Sequence, residues 1–195
     1  MLRTLFDTAV SESRQPTAHE IVKADIPFLD AVIEECLRVG GPAPMVAREA
    51  MMDTVLLGHH IPKGMTVLIN NAGPGFKTKP VKVLDSRRSE SSIAKSRGST
   101  WNVDDLHHFK PERWLKINDK GDVIYDAQAG PFLTFSLGPR GCFGRKLAYM
   151  EMRLVLTLLL WNFHFKQLKG ELVSYDTKES VTVMPKVCYV GLEPL

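Results

Sequence analysis

The stretch that decides the fold of this chain is FSLGPRGCFG, residues 135–144. It places Cys142 on a turn with three glycines, and a long apolar segment follows directly. Glycine has no side chain, so such a turn can bend sharply and approach a flat partner closely. The apolar segment predicts a helix over residues 144–163, whose first free N–H groups and partial positive charge favour a thiolate. Because the thiolate is the form of cysteine that binds metal, the stretch predicts a cysteine ligand.

Cys142 also has a plainer interpretation, since a lone cysteine is usually a small buried hydrophobic residue. The spacing around it favours the ligand. Residues of this stretch fill all the fixed positions of Phe-x-x-Gly-x-Arg-x-Cys-x-Gly: Phe135, Gly138, Arg140, Cys142 and Gly144. On these residues the segment closely resembles the haem-binding loop of the cytochrome P-450 family, the haem-thiolate monooxygenases.

The resemblance implies a role for each residue of the loop. Cys142 would be the axial ligand of the haem iron, and Phe135 would shield its sulfur. Arg140 would bind a haem propionate. Gly138 and Gly144 would let the backbone lie close to the porphyrin.

Two further motifs lie upstream of the loop. Glu35 and Arg38 form Glu-x-x-Arg on a helix predicted over residues 25–39, where residues three apart share a face. Taken alone, they would be an ordinary solvated ion pair. PERW at residues 111–114 adds Arg113. The resemblance implies that these three charged residues form a buried network behind the haem, which holds the cysteine loop in place.

Arg48 lies on a strand predicted over residues 46–50. By itself it would be a solvated strand arginine. In the family a matching arginine approaches a haem propionate, and a planar guanidinium suits bidentate contact with a carboxylate. The resemblance also implies that residues 42–47 border the substrate side of the haem and that a turn at 177–180 touches substrate.

Composition bounds the class of protein. The chain has 195 residues, enough for one domain with a core, and 44% of them are hydrophobic, which excludes a disordered chain. The net charge of +3 is too mild to indicate nucleic-acid binding. The chain has three cysteines, an odd number that cannot all pair in disulfides within the chain, and this favours a reducing compartment. The adjacent histidine pairs at 59–60 and 107–108 are expected to point apart, so they predict no metal site.

The fold class predicted is mainly α with small β-sheets: residues 1–195 would be a single, incomplete C-terminal part of the cytochrome P-450 fold. Residues 77–100 are basic and serine-rich, which indicates an exposed segment, and they resemble an insertion found in fungal-type members of the family. The other predicted elements are a helix at 1–10, a capping box at 17–20, paired strands at 54–57 and 66–69, a loop at 116–130, and strands at 181–183 and 187–190.

The resemblance covers nearly the whole chain but only the C-terminal part of a full-length member. We therefore expect the membrane anchor, the central helix of oxygen activation and most of the substrate pocket to lie outside this chain. Full-length members are usually anchored in the endoplasmic reticulum membrane. Here the N-terminus has no apolar stretch of signal length, and the apolar run 154–161 is too short for a span. A cytoplasmic location is one expectation, and the sequence alone leaves it open.

The function that the resemblance implies is insertion of one oxygen atom from O2 into a small organic substrate. Electrons would come from an NADPH-dependent reductase, whose acidic face Arg145 and Lys146 could meet, although basic residues at a helix start are more often solvated. The cofactor would be haem. No glycine-rich phosphate loop indicates a bound flavin or nicotinamide, and no nucleic acid is expected as a partner. The alternative is a non-catalytic remnant that binds haem or merely folds.

Overall fold

The structure is a computed structural model and describes residues 2–94, 101–180 and 182–195. Its α-helices are α1 (Asp7–Ser11), α2 (Ala18–Lys23), α3 (Pro27–Gly40), α4 (Glu90–Ala94) and α5 (Arg145–Asn162). Its strands are β1 (Met45–Glu49), β2 (Thr54–Leu56), β3 (His59–Ile61), β4 (Thr66–Asn70), β5 (Leu115–Ile117), β6 (Val123–Tyr125), β7 (Phe163–Lys166), β8 (Thr177–Glu179), β9 (Val183–Pro185) and β10 (Gly191–Pro194). Short 3-10 turns lie at Leu2–Leu5, Asp85–Arg87, Pro111–Trp114, Gly138–Arg140 and Gly170–Leu172. The predicted class, helices with small sheets, is confirmed.

Helix α3 follows directly from the local sequence. The capping box is confirmed: the Thr17 hydroxyl accepts the Glu20 backbone N–H, and Glu20 accepts the Thr17 backbone N–H. After α2, Pro27 opens α3, where its missing N–H costs nothing. The helix buries Leu29 and Ile33 along one face. Cys36 was expected on that apolar face, but it is exposed.

Two apolar clusters hold the chain together. One lies between α1, α2, α3 and α5 and contains Phe6, Ala9, Ile21, Ile26, Leu29, Ile33, Leu37 and Trp161. The other lies on the opposite side of α3 and contains Ala31, Trp101, Leu106 and Trp114. Helix α3 is therefore buried on both sides, which is why it can carry buried charged groups.

The described residues form five sheets, each two-stranded and antiparallel, which pair β1 with β4, β2 with β3, β5 with β6, β7 with β10 and β8 with β9. The predicted pairing of 54–57 with 66–69 is wrong. Leu57 and Gly58 both have positive φ, of 53° and 83°, and make the tight turn that folds β2 onto β3. Strand β4 instead pairs with β1, where Arg48 lies opposite Val67.

Several other predicted elements differ from the structure. Residues 116–130 were expected to be a loop but include β6 and most of β5, because the Asn118 side chain caps a tight turn by accepting the N–H groups of Lys120 and Asp122. The helix predicted at 1–10 divides into a 3-10 turn and α1, and Met1 lies outside the described residues.

The C-terminal end also differs from the prediction. Residues 177–180, expected as a turn, contribute β8, while the last strand lies at 191–194 rather than 187–190. Strand β9 begins at Val183, and residue 181 of the predicted strand is not among the described residues.

Helix α5 matches its predicted span within one residue at each end. Its large apolar residues are buried to different degrees: Trp161 is 7% exposed, whereas Leu147 and Met150 are 53% and 42% exposed. In the described part of the chain, no helix is long and apolar enough to cross a membrane.

The basic segment is exposed as expected. Residues 78–94 are all exposed except the half-buried Arg88, and residues 95–100 of the predicted insertion fall outside the described ranges.

Candidate functional site

The loop of residues 135–144 folds back on itself just before α5. Ser136 and Gly138 take left-handed backbone conformations, with φ of 56° and 70°. The Cys142 backbone N–H then donates to the Phe135 carbonyl at 2.8 Å, and the Gly141 N–H donates to the Gly138 carbonyl at 2.9 Å. These bonds close the loop and leave the Cys142 side chain exposed at its edge.

The glycines of the loop serve different purposes. A Cβ on Gly141 would lie 3.2 Å from the Gly138 carbonyl oxygen, a tight contact that would push on the backbone of the turn. Gly138 requires it for its positive φ. A Cβ on Gly144 would meet only the Cys142 sulfur, at 3.9 Å, which is an ordinary contact. Packing within the described chain therefore does not explain Gly144, whereas close approach of a flat group to the sulfur would.

The loop itself carries two large exposed apolar side chains. Phe143, the chain neighbour of Cys142, is fully exposed, and Leu137 is 64% exposed. Large exposed apolar side chains can mark a binding surface. An exposed cysteine on a closely folded loop with such residues suits a flat apolar group with a metal at its centre.

Two cations accompany the loop. Arg48 on β1 donates to the Ser136 hydroxyl oxygen at 3.0 Å and to the Ala47 carbonyl at 2.8 Å, so the guanidinium lies against the loop. Arg140 is exposed on the 3-10 turn that precedes Cys142. The first turn of α5 contains no acidic residue. The residues present therefore fit a haem, whose iron would meet a thiolate and whose carboxylates would meet arginines.

Phe135 has a contact that the sequence did not indicate. Its ring packs against Tyr149 of α5 at a centroid distance of 5.4 Å and against Phe132 at 6.5 Å. The backbone carbonyl of the same residue holds the Cys142 N–H. Phe135 therefore anchors the loop to the core, whatever else its ring does near the sulfur.

Glu35, Arg38 and Arg113 lie together in the interior. Arg38 donates from Nε to Glu35 Oε2 at 2.8 Å and from Nη2 to Oε1 at 2.7 Å, and Arg113 Nε donates to Oε1 at 3.1 Å. Glu35 is fully buried, and the two guanidinium side chains are 1% and 3% exposed. Burial acts to raise the pKa of Glu35, but the hydrogen bonds from Arg38, the Lys110 N–H and Trp114 outweigh it and hold that pKa below its usual value.

The network has members that the sequence reasoning missed. The Lys110 backbone N–H donates to Glu35 Oε1 at 2.8 Å, and Trp114 Nε1 donates to Oε2 at 2.9 Å. Arg113 also pairs with Asp105 at 3.1 Å. The sequence contains one signal for these further members, which is that Trp114 directly follows Arg113 in the same motif. With these bonds the Glu35 carboxylate accepts five hydrogen bonds, three at Oε1 and two at Oε2.

A chain of aromatic contacts joins the network to the loop. Trp114 meets Phe132 edge-on at a centroid distance of 5.8 Å, and Phe132 meets Phe135. In addition, the Thr134 hydroxyl donates to the Leu37 carbonyl near the end of α3, at 3.2 Å. Helix α3 thus supports the segment that enters the loop from two directions.

The histidines do not build a metal site. Among the described residues, no group of three or more His, Cys, Asp or Glu side chains could hold a metal ion. The expectation that His107 and His108 point apart is wrong: their ring centroids lie 3.9 Å apart.

Comparison with known proteins extends these observations. The family model described as Cytochrome P-450 matches residues 1–73 and 104–191, and the residues between them contain the basic insertion. A cytochrome P-450 monooxygenase of Fusarium sporotrichioides is 42% identical over 98% of this chain and 35% of its own length. A cytochrome P-450 monooxygenase of Penicillium rubens is 45% identical over 90% of this chain and 30% of its own length. A third, from Dothistroma septosporum, is 38% identical, and the match covers 93% of this chain and 62% of that protein.

Solved structures agree on the fold. The haem domain of a protein named cytochrome P-450DA superposes with a TM-score of 0.65 at 21% identity, covering 100% of this chain and 36% of that one. A zebra fish cytochrome P-450 with progesterone superposes with a TM-score of 0.63 at 27% identity, covering 100% of this chain and 37% of the other. The chain therefore spans about a third of the length of most relatives it matches.

Proposed function

The chain belongs to the cytochrome P-450 family, and from that premise we propose that residues 135–144 bind a haem through Cys142, as part of a monooxygenase. The observation that carries the proposal is the closed loop that leaves the Cys142 side chain exposed, with Arg48 hydrogen-bonded to Ser136 of the same loop. The proposed reaction is insertion of one oxygen atom from O2 into a small organic substrate.

The residues of the loop divide the work of holding the cofactor. A bound haem supplies the iron that activates O2, and a cysteine thiolate ligand favours cleavage of the O–O bond. Cys142 provides that thiolate. Arg48 and Arg140 bind the propionates, and the missing side chains at Gly138 and Gly144 allow close approach of the ring. Phe135 shields the sulfur from the side of the core.

The buried network is proposed to support this loop rather than to take part in chemistry. Glu35, Arg38 and Arg113 are enclosed by α3 and the segment 105–114, away from solvent. Their link to the loop runs through Trp114 and the phenylalanines beyond it.

Electron delivery is proposed to come from an NADPH-dependent reductase. Arg145 and Lys146 are exposed at the start of α5, close in sequence to Cys142, and present positive charge to an acidic partner. The endoplasmic reticulum membrane as the place of reaction is part of the same proposal and rests on family membership.

Haem titration of the chain tests the proposal. Arg48→Ala and Arg140→Ala should each weaken haem binding about tenfold or more, because each removes a hydrogen bond between two charged groups. Arg87→Ala is the matched control, since Arg87 is exposed on the segment that the family model does not match. Absence of haem binding by the wild type, or equal affinity of all three variants, would contradict the proposal.

A second candidate function applies to the 195-residue chain by itself: haem binding without turnover. The specific observation is that Cys142 and its chain neighbour Phe143 are both exposed, which leaves the cysteine side of the site open to water. Oxygen activation also requires a positioned proton donor within hydrogen-bond reach of the oxygen, and we expect that donor system on the family's central helix.

When the chain is reconstituted with haem, reductase and NADPH, its electrons should therefore reduce O2 to superoxide and hydrogen peroxide. The measurement is product per electron with isotope-labelled O2 and a panel of small apolar compounds, scored by mass spectrometry, with free haem as the control. Labelled product well above the free-haem level would eliminate this second candidate and leave the monooxygenase proposal for the chain itself.

A further inference from the structure

A second buried glutamate lies next to Glu35 on α3, in very different surroundings. Glu34 is 3% exposed, and its Oε1 accepts hydrogen bonds from the hydroxyls of Tyr125 on β6 and Tyr149 on α5, the latter at 2.6 Å. Its Oε2 is buried and has no hydrogen-bond partner among the described residues. Whereas two guanidiniums bind Glu35, the salt bridges of the described chain do not include Glu34.

The surroundings of Glu34, taken together, raise the pKa of its carboxyl group. On α3 itself, Asp30 lies one turn earlier and pairs with Arg153. On α5, Arg145 is the nearby cation. Burial is the main cause that raises the pKa of Glu34, and Asp30 adds to it, while the hydrogen bonds from the two tyrosines and the charge of Arg145 act in the opposite direction. The pKa remains raised.

Tyr149 connects this carboxyl to the cysteine loop. Its ring packs on Phe135 at 5.4 Å, and the Arg145 guanidinium lies over it at 5.5 Å. The Phe135 carbonyl in turn accepts the Cys142 N–H at 2.8 Å. The position of the Tyr149 ring therefore determines where Phe135, and with it the loop, can lie.

We propose that Glu34 is a positioning residue for Cys142: its Oε1 fixes the hydroxyls of Tyr125 and Tyr149, and through the Tyr149 ring it holds the loop against α3. The relevance of this position to haem rests on the proposed function above. The clamp itself is a property of the polypeptide, so it can be tested without haem.

The test is amide hydrogen exchange of the 195-residue chain without haem. Tyr149→Phe should accelerate exchange of the Cys142 amide about three- to tenfold, the effect of losing one buried hydrogen bond. Amides in the middle of α2 and α3 should change little. Tyr175→Phe is the matched control, because Tyr175 is 93% exposed and its loss should leave the loop unchanged.

Variants of Glu34 show whether the acceptor oxygen of this side chain is sufficient to hold the loop or whether its charge is required. Glu34→Gln keeps the oxygen that both tyrosines use, so its Cys142 amide should exchange at the wild-type rate, whereas Glu34→Leu should match Tyr149→Phe. Because the folded-state pKa of Glu34 is raised, its stabilisation is present below the ordinary pKa of glutamate and declines as pH rises through the folded value. The unfolding midpoint of the wild type relative to Glu34→Gln should therefore fall as pH rises.

Each outcome decides the matter. Acceleration of Cys142 exchange in Glu34→Gln equal to that in Glu34→Leu, uniform acceleration of all amides, or a Tyr149→Phe variant that behaves like Tyr175→Phe would overturn the clamp. If Glu34→Leu does not fold, Tyr149→Phe and Glu34→Gln still give the answer. A clamp that holds while wild-type chain fails to form a thiolate–haem complex would overturn the proposed function and leave the clamp standing.

Discussion

Replacement of Glu35 by alanine is expected to lower the free energy of unfolding by about 3–5 kcal/mol, the range for removal of one partner from a buried ion pair. Arg38 would remain in the interior with a side-chain exposure of 1% and without the Glu35 carboxylate, and Arg113, 3% exposed, would keep only its pairing with Asp105. The Trp114 indole N–H and the Lys110 N–H would lose their acceptor as well. Helix α3 and the segment 110–114 meet at this carboxylate, so few other single changes should cost as much.

Denaturant unfolding at neutral pH measures this loss. Glu193→Ala serves as the control because Glu193 pairs with Lys166 on the surface, with both side chains more than half exposed. Exposed pairs of this kind contribute about 0–1 kcal/mol. A Glu35→Ala variant no less stable than Glu193→Ala would show that the network does not stabilise the fold.

The pH dependence of stability should distinguish the two neighbouring glutamates. The pKa of Glu35 is lowered in the folded protein, so its contribution is present above the ordinary glutamate value and is lost as pH falls through the folded value. For Glu34, whose pKa is raised, the contribution declines in the other direction, as pH rises. The stability of Glu35→Gln relative to wild type should thus recover on acidification, while that of Glu34→Gln should improve on alkalinisation.

Features with a local signal could be predicted from the sequence. The capping box at Thr17 and the long helix after Gly144 depend on residues within one or two turns, and the helix predicted from residue 25 begins two residues later, at Pro27. The cysteine loop was recognisable for the same reason, because its fold is set by bonds that join Phe135 and Gly138 to residues only a few positions later.

Features that depend on distant partners could not be predicted in the same way. Glu34 and Glu35 are adjacent and chemically identical in the sequence. Their different surroundings come from Tyr125, Tyr149 and Arg113, which lie 78 to 115 residues further along the chain. The strand pairing was also difficult to predict. The tight turn at Gly58 pairs β2 with β3, and β4 pairs with the more distant β1.

Cys142 is the residue on which the account depends most. Its side chain is exposed, packing within the described chain does not require a glycine at position 144, and Phe143 next to it in the chain is fully exposed. Cys142→Ala should abolish thiolate ligation entirely, since the other two cysteines lie elsewhere, on α3 and after β9. Cys36→Ala and Cys188→Ala are therefore matched controls that should keep it.

The most direct measurement is the absorption spectrum of the ferrous–CO adduct of the haem-loaded chain. We expect the wild type, Cys36→Ala and Cys188→Ala to show the red-shifted Soret band of a thiolate ligand, and Cys142→Ala to lack it. Persistence of that band in Cys142→Ala, or its absence from the wild type despite stoichiometric haem binding, would contradict the assignment of Cys142 as the ligand.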